Sequence, residues 1–197
     1  GRMNWQKGQW HLIRAFALLH QQFPELQLVI LGEGKLEKDL RALSNQLGVA
    51  SCVHFPGFQK NPYPFIKNAR IFVLPSLVEG FPNALVEAMA LGIPVIAADC
   101  HSGPREILAP HDLAGQLDYP ADDPAQYFGV LVPVDPTIDI SSLSPLSESE
   151  TYLSNAIKRL LQDPEKWRSF AEKSYIRSNS FDINQVVSEW ESILTVN

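Results

Sequence analysis

The sequence predicts an α/β protein: a three-layer arrangement in which a parallel sheet carries helices on both faces. Three observations point there. Short apolar runs of strand length alternate with stretches of helical period along most of the chain. Gly and Pro punctuate that alternation, as at Pro24, Gly32, Gly48 and Gly92. Between Ile71 and Ala98 the order strand, loop, helix, strand is complete, which makes one βαβ unit with a defined carboxyl edge. Composition agrees, because 197 residues with 45% hydrophobic and 19% charged side chains suffice for one domain with a sizeable core.

Each element has its own warrant. Residues 10–22 read as a helix, with Leu12, Ile13, Phe16 and Leu19 near one face and Pro24 beyond its end. Residues 26–31 are a strand, and Gly32-Glu33-Gly34 is the turn after it. That turn resembles a phosphate-binding loop but lacks the third glycine of the dinucleotide pattern, so a tight turn is the simpler reading. An amphipathic helix over 36–47 follows, with Leu36, Leu40, Leu43 and Leu47 on one side and Gly48 closing it. Residues 53–55 form a short strand leading to Gly57-Phe58, and prolines limit 61–68 to a short helix at most. After the βαβ unit come a short helix over 103–108, a Pro- and Asp-rich loop over 109–128 and a last core strand over 129–132. Ser and Pro dominate 135–149, which reads as a surface linker. Helices over 151–162, 164–178 and about 183–194 close the chain.

The helix of the βαβ unit is chemically unusual. Pro82 suits its first turn and Gly92 the residue past its end. Between them Ala84, Leu85, Val86, Ala88, Met89, Ala90 and Leu91 leave no polar face, which predicts burial on nearly all sides. Two carboxylates interrupt the segment, Glu79 before the helix and Glu87 within it. Two readings of Glu87 stand: a solvated group at a gap in the packing, or an acceptor facing a ligand cleft. The position of Glu79 favours a ligand, because it lies in the loop leaving the strand's carboxyl end, where open parallel sheets bind theirs.

Three motifs in register now resemble one family. Glu79 and Glu87, separated by seven residues and with Gly80-Phe81 after the first, resemble the signature of retaining, nucleotide-sugar-dependent glycosyltransferases of group 1 (glycosyltransferase family 4), which have the GT-B fold. Gly1-Arg2 with Lys7-Gly8 is similar to the family's Gly-Arg…Lys-Gly opening of the donor-binding domain. Ser102-Gly103-Pro104-Arg105-Glu106, after a strand and Asp99, is a third match. The resemblance runs to about residue 134 and resumes weakly in the C-terminal helices. It implies a Rossmann-like half of a GT-B fold. Residues 1–197 are then the C-terminal, nucleotide-sugar-binding domain, whose last helix packs toward an N-terminal acceptor domain absent from this sequence.

The resemblance also implies roles. Arg2 and Lys7 would neutralise the departing diphosphate in place of a metal, so no metal or other cofactor is expected. Glu79 would contact the sugar hydroxyls, with Gly80, Phe81 and Pro82 forming the turn against it. Glu87 would accept from the ribose hydroxyls, and the amides of Asn83 and Ala84 would approach the diphosphate. Gly57 and Phe58 would border the base. Against these stand plain readings: Arg2 and Lys7 as solvated charges, Glu79 as a charge–dipole contact, Phe58 as core. Arg105 and Glu106 read as members of an intramotif ion pair, and Trp5 and Trp10 as packing groups. No role falls to His101, and His11, His20, His54 and His111 show no metal-ligand clustering.

The whole then reads as a metal-independent retaining hexosyltransferase taking a UDP- or GDP-sugar, inactive as this isolated piece. Its acceptor would be a glycan or a lipid-linked molecule. Two alternatives belong to other classes: an epimerase-like GT-B enzyme acting on the donor alone, and a noncatalytic nucleotide-sugar-binding module. A net charge of −6 argues against nucleic-acid partners. Cys52 and Cys100 fit no metal spacing and suit a reduced, cytoplasmic setting, with peripheral membrane association of a longer protein compatible. No apolar run approaches a membrane span.

Overall fold

Two parallel ladders carry the architecture of the computed structural model, which describes residues 1–100, 102–109, 117, 119, 121–141 and 144–194. The expectations for His101 and His111 lie outside the described residues. In the first ladder β1 (Leu28–Val29) pairs with β2 (Val53–His54). Backbone bonds from Leu28 N to Cys52 O, Ile30 N to His54 O and Gly32 N to Gly57 O extend that pairing on both sides, each 2.9 Å. The second ladder has the order β3 (Phe72–Leu74), β4 (Val95–Ala98), β5 (Val130–Val132), all parallel. Its central strand is buried along its whole length, which explains a sequence with no polar alternation there.

Helices cover both ladders. Around β1 and β2 lie α1 (Gln9–His20) and α2 (Glu37–Gln46), whose Trp10, Ile13, Phe16, Leu40 and Leu43 form one core with Met3, Ile30, Val49 and Val53. A second core surrounds β3–β5 and gathers side chains from α4 (Asn83–Ala90), α5 (Pro104–Leu108), α6 (Glu148–Gln162) and α7 (Pro164–Ser178). Among the described residues the remaining α-helices are the short α3 (Tyr63–Lys67) and the terminal α8 (Ile183–Leu194). Leu12, Ala15 and Leu19 of α1 belong to the second core, so this helix serves both and is buried at every position from Gln9 to Phe16. The expected parallel α/β fold is present.

Three expectations need correction. The signature helix is not buried on all sides: Asn83, Ala84 and Ala90 are exposed and Glu87 is half-buried, while Leu85, Ala88 and Met89 face the core. The apolar content of its outer face is small residues, which a composition rule counts as core although their side chains bury little area. The linker ends earlier than composition suggests, because Ser147 and Glu150 close a capping box that starts α6 at Glu148. Phe58 is not core but 70% exposed, and Trp5 is half exposed, whereas Trp10 packs fully inside. No helix among the described residues is long and apolar enough to cross a membrane.

Candidate functional site

The carboxyl ends of β3 and β4 and the N-terminal segment converge on one place. Leu77 N donates to Gln6 O at 2.8 Å, tying the loop after β3 to the residues before α1. Gly8 makes that approach possible: its φ is +57°, and a Cβ there would lie 2.2 Å from Pro75 O. The result is that Lys7 reaches across to Glu79, with Nζ 2.6 Å from Oε1. Ser76 Oγ donates to the same carboxylate oxygen at 2.6 Å. Glu79 is thus deeply set, with 9% of its side chain exposed against 27% for Lys7.

The loop after β4 locks this arrangement from the other side. Ser102 Oγ donates to Glu79 O at 2.6 Å. Gly103 has φ +81°, and a Cβ on it would stand 2.0 Å from Gly80 O and 2.8 Å from Pro82 Cδ. Cys100 Sγ donates to Ser76 O at 3.0 Å. Burial, reinforced by the charges of Glu79 and Asp99, pushes its thiol up to about 12, so it stays protonated and inert. Arg105 pairs not with its neighbour Glu106 but with Asp99, through Nε at 2.8 Å and a second contact from its terminal nitrogen. Tyr119 OH donates to the same carboxylate. Burial first and Asp99 second push the Tyr119 phenol up to about 12. Adjacent helix positions do not face each other, which is why the pair skips Glu106.

The other candidate residues fall into groups. Glu87 lies one helical turn after Asn83, on the open face of α4, and its carboxylate makes no hydrogen bond or ion pair among the described residues. The Asn83 amide is already donated to Phe81 O at 3.1 Å, which leaves Ala84 N–H as the amide at that helix start with no bond to a described residue. Phe81 is half exposed and meets Phe181 edge-on, ring centroids 5.5 Å apart. Gly57, at φ +77°, and Phe58 are tied to the turn after β1, for Phe58 N donates to Glu33 Oε1 at 3.2 Å. Arg2 is exposed, and its side chain has no partner among the described residues, so it does not join the Lys7–Glu79 pair.

One cluster escaped the sequence reading. His11 Nδ1 lies 2.9 Å from Glu150 Oε1 and 3.7 Å from Asp135 Oδ2, so the expectation of no histidine clustering is wrong at His11. Arg14 Nε donates to the same Glu150 oxygen at 2.8 Å. The α1 spacing of His11 and Arg14 (i, i+3) places both on one helix face. That spacing was the available signal; their partners lie more than a hundred residues away in sequence.

Residues 1–126 match the family model described as glycosyl transferases group 1. The chain belongs to this family. An uncharacterized glycosyltransferase of Methanocaldococcus jannaschii is 37% identical over 198 residues, covering 98% of this chain and 48% of the relative. The 4-α-N-acetylgalactosaminyltransferase of Campylobacter jejuni that acts on N-acetylgalactosamine-N,N'-diacetylbacillosaminyl-diphospho-undecaprenol is 32% identical over 182 residues, 92% of this chain and 41% of that enzyme. The chain therefore spans less than half the length of these two relatives. Among solved structures, the Anabaena protein HepE in complex with UDP superposes with a TM-score of 0.77 at 22% identity, over all of this chain and 47% of that one. The C-terminal domain of a group 1 glycosyl transferase from Francisella tularensis gives 0.70 at 23% identity, over 93% of this chain and 84% of that domain. The fold of a C-terminal GT-B domain and a glycosyltransferase family are thus shown.

Proposed function

We propose that this chain binds the nucleoside-diphosphate sugar of a retaining hexosyltransferase and presents it to an acceptor held by a separate N-terminal domain. The observation that carries the reading is the placement of Lys7, Ser76 and Glu79 at the carboxyl edge of the sheet, with Glu87 on the open face of the adjoining helix. In this reading Lys7 and the exposed Arg2 bind the diphosphate, a guanidinium by its planar fork and an ammonium as a point charge. The Ala84 amide adds a neutral donor at the helix start. Glu87 accepts from the ribose hydroxyls, and Gly57 with exposed Phe58 borders the base. Glu79 accepts from the sugar hydroxyls, held by Ser76 and by the turn through Gly80, Phe81 and Pro82.

Catalysis in this scheme is front-face substitution. The bond between the anomeric carbon and the diphosphate oxygen breaks, its electrons leave with the diphosphate, and the acceptor hydroxyl oxygen attacks from the same side while its proton passes to the departing phosphate oxygen. Lys7 and Arg2 stabilise the leaving charge, and no divalent ion is needed at the phosphates. UDP is the favoured nucleotide because HepE and the pneumococcal O-GlcNAc transferase GtfA are solved with UDP. A glycan or lipid-linked acceptor, as in the Campylobacter relative, and a cytoplasmic or membrane-peripheral setting of the whole protein complete the proposal.

Calorimetric titration of UDP and GDP into wild type and Glu87→Gln tests it. The amide keeps the shape of the side chain but loses charge-assisted acceptance, worth ~1.5–3 kcal/mol. Affinity for the preferred nucleotide should fall about 10- to 100-fold, and chelator should leave wild-type binding unchanged. Equal affinities would remove Glu87 from the site.

A further inference from the structure

The His11 cluster lies outside the donor site and has no part in the scheme above, yet it occupies the carboxyl ends of three strands. A cavity of about 20 Å³, room for one water or one ion, is lined by His11, Asp135 and Glu150. Its other walls include Pro75, Ala98 and Val132, the residues at or just past the ends of β3, β4 and β5. All three polar residues are more than nine-tenths buried. One donor atom from each lies within 4.8 Å of the others.

Two atoms here are buried with no hydrogen-bond partner among the described residues, His11 Nε2 and Asp135 Oδ2. The second is the telling one. Asp135 Oδ2 stands 3.7 Å from His11 Nδ1, too far for a hydrogen bond, while Glu150 Oε1 stands 2.9 Å from the same nitrogen. Donors around a tetrahedral ion at about 2.0 Å stand about 3.3 Å apart, so these two separations bracket the spacing of a shared ion. Charge points the same way. Two buried acids, Asp135 and Glu150, face one buried guanidinium, Arg14, and buried excess charge is costly. The Arg14 guanidinium is itself anchored on the carbonyls of Ser144 and Pro145, both at 2.8 Å, so it does not swing into the cavity.

We propose that His11, Asp135 and Glu150 bind one divalent transition-metal ion of the zinc class, with water in the cavity as a further ligand. One imidazole and two carboxylates make a donor set suited to such ions rather than to magnesium or calcium, which take oxygen alone. The centre joins α1, the segment after β5 and the first turn of α6 beneath Pro75, the residue preceding Ser76. The ion would sit apart from the proposed phosphate contacts of Arg2 and Lys7, so stripping it should leave nucleotide affinity unchanged.

The test is made on the 197-residue chain, stripped with chelator and loaded with Zn²⁺ or Co²⁺. The expected result is one equivalent retained through gel filtration by elemental analysis, a visible absorption band with Co²⁺, and a melting temperature that rises with free ion. Retention should fall as pH drops through the histidine range, since protons compete for the imidazole. Asp135→Asn and His11→Gln should weaken binding about tenfold or more, while Asp122→Asn, in an ion pair with Lys166 outside the cluster, should not. If His11→Gln fails to fold, Asp135→Asn decides. Wild type that retains no ion, or Asp135→Asn that retains as much as wild type, overturns the proposal in favour of a water or a proton on His11. Neither outcome depends on glycosyl transfer, so the donor-binding reading stands or falls separately.

Discussion

Lys7 and Glu79 are 72 positions apart in sequence and 2.6 Å apart in space. A carboxylate this deeply set is expensive to leave alone: losing one partner of a buried pair costs the other its compensation. Lys7→Met should therefore lower stability by ~1–3 kcal/mol, measured by denaturant unfolding, with Ser76 still donating to the stranded charge. Adding Glu79→Gln should restore most of that loss, because an amide tolerates burial better than an unpaired carboxylate. Nucleotide affinity should not return with it, since both proposed ligand contacts are gone. A double variant that binds UDP as tightly as wild type would reduce the pair to a structural strut. At this scale motif spacing singled out Glu79, Glu87, Arg2 and Lys7 as candidates, and the fold brings Lys7 to Glu79 but leaves Arg2 apart. His11, Asp135 and Glu150 were not legible as a cluster, because the i, i+3 spacing of His11 and Arg14 marks one helix face but not the distant carboxylates that meet it.

Elements were readable where periodicity and punctuation agreed. The βαβ unit from β3 through α4 to β4 follows from two apolar runs and the Pro82 and Gly92 that bound the helix. The start of α6 was obscured by the Ser- and Pro-rich composition around it, although Ser147 and Glu150 spell a capping box at the three-residue spacing. The open face of α4 was obscured because alanine satisfies an apolar count whether or not anything covers it. Between elements, glycine sets the closest approaches. Gly103→Ala places a methyl group 2.0 Å from Gly80 O at a backbone angle that L-residues rarely adopt. The loops after β3 and β4 must then separate, loosening the Ser102 bond to Glu79 O. The expected outcome is a stability loss of ~1–3 kcal/mol together with weaker nucleotide binding. Full affinity in a folded Gly103→Ala protein would show that the two loops need not be clasped for the donor to bind.

At the scale of the molecule, two hydrophobic cores meet along α1, and α6 packs against the same helix. The side of α1 that faces α6 is where Arg14 and His11 meet Glu150, so one carboxylate links the shared helix to the capping box, and Arg14 carries the link on to the carbonyls of Ser144 and Pro145. That linkage has a pH signature whose sign is fixed. Burial works to raise the Glu150 pKa, but the bonds from His11, the Ser147 amide and Arg14 prevail and depress it in the folded state. The unfolded chain, with its ordinary Glu pKa of about 4.3, therefore binds more protons in the window just below that value, and stability rises with pH there. The contribution is fully present above the unfolded pKa and disappears as pH falls through the folded one. Thermal unfolding of metal-stripped wild type and Glu150→Gln, followed from neutral pH down through the carboxylate range, reads this directly. Glu150→Gln should melt lower at neutral pH, because the amide cannot neutralise Arg14. Its acid limb should be shallower, and the two curves should converge at the acid end, where wild type has also lost the charge. The carboxylates common to both proteins contribute equally and cancel in the difference. Parallel curves, with a gap that acid does not narrow, would mean that the ionised carboxylate is not what joins the two cores to α6, and that the capping geometry and the packing of α1 hold them without it.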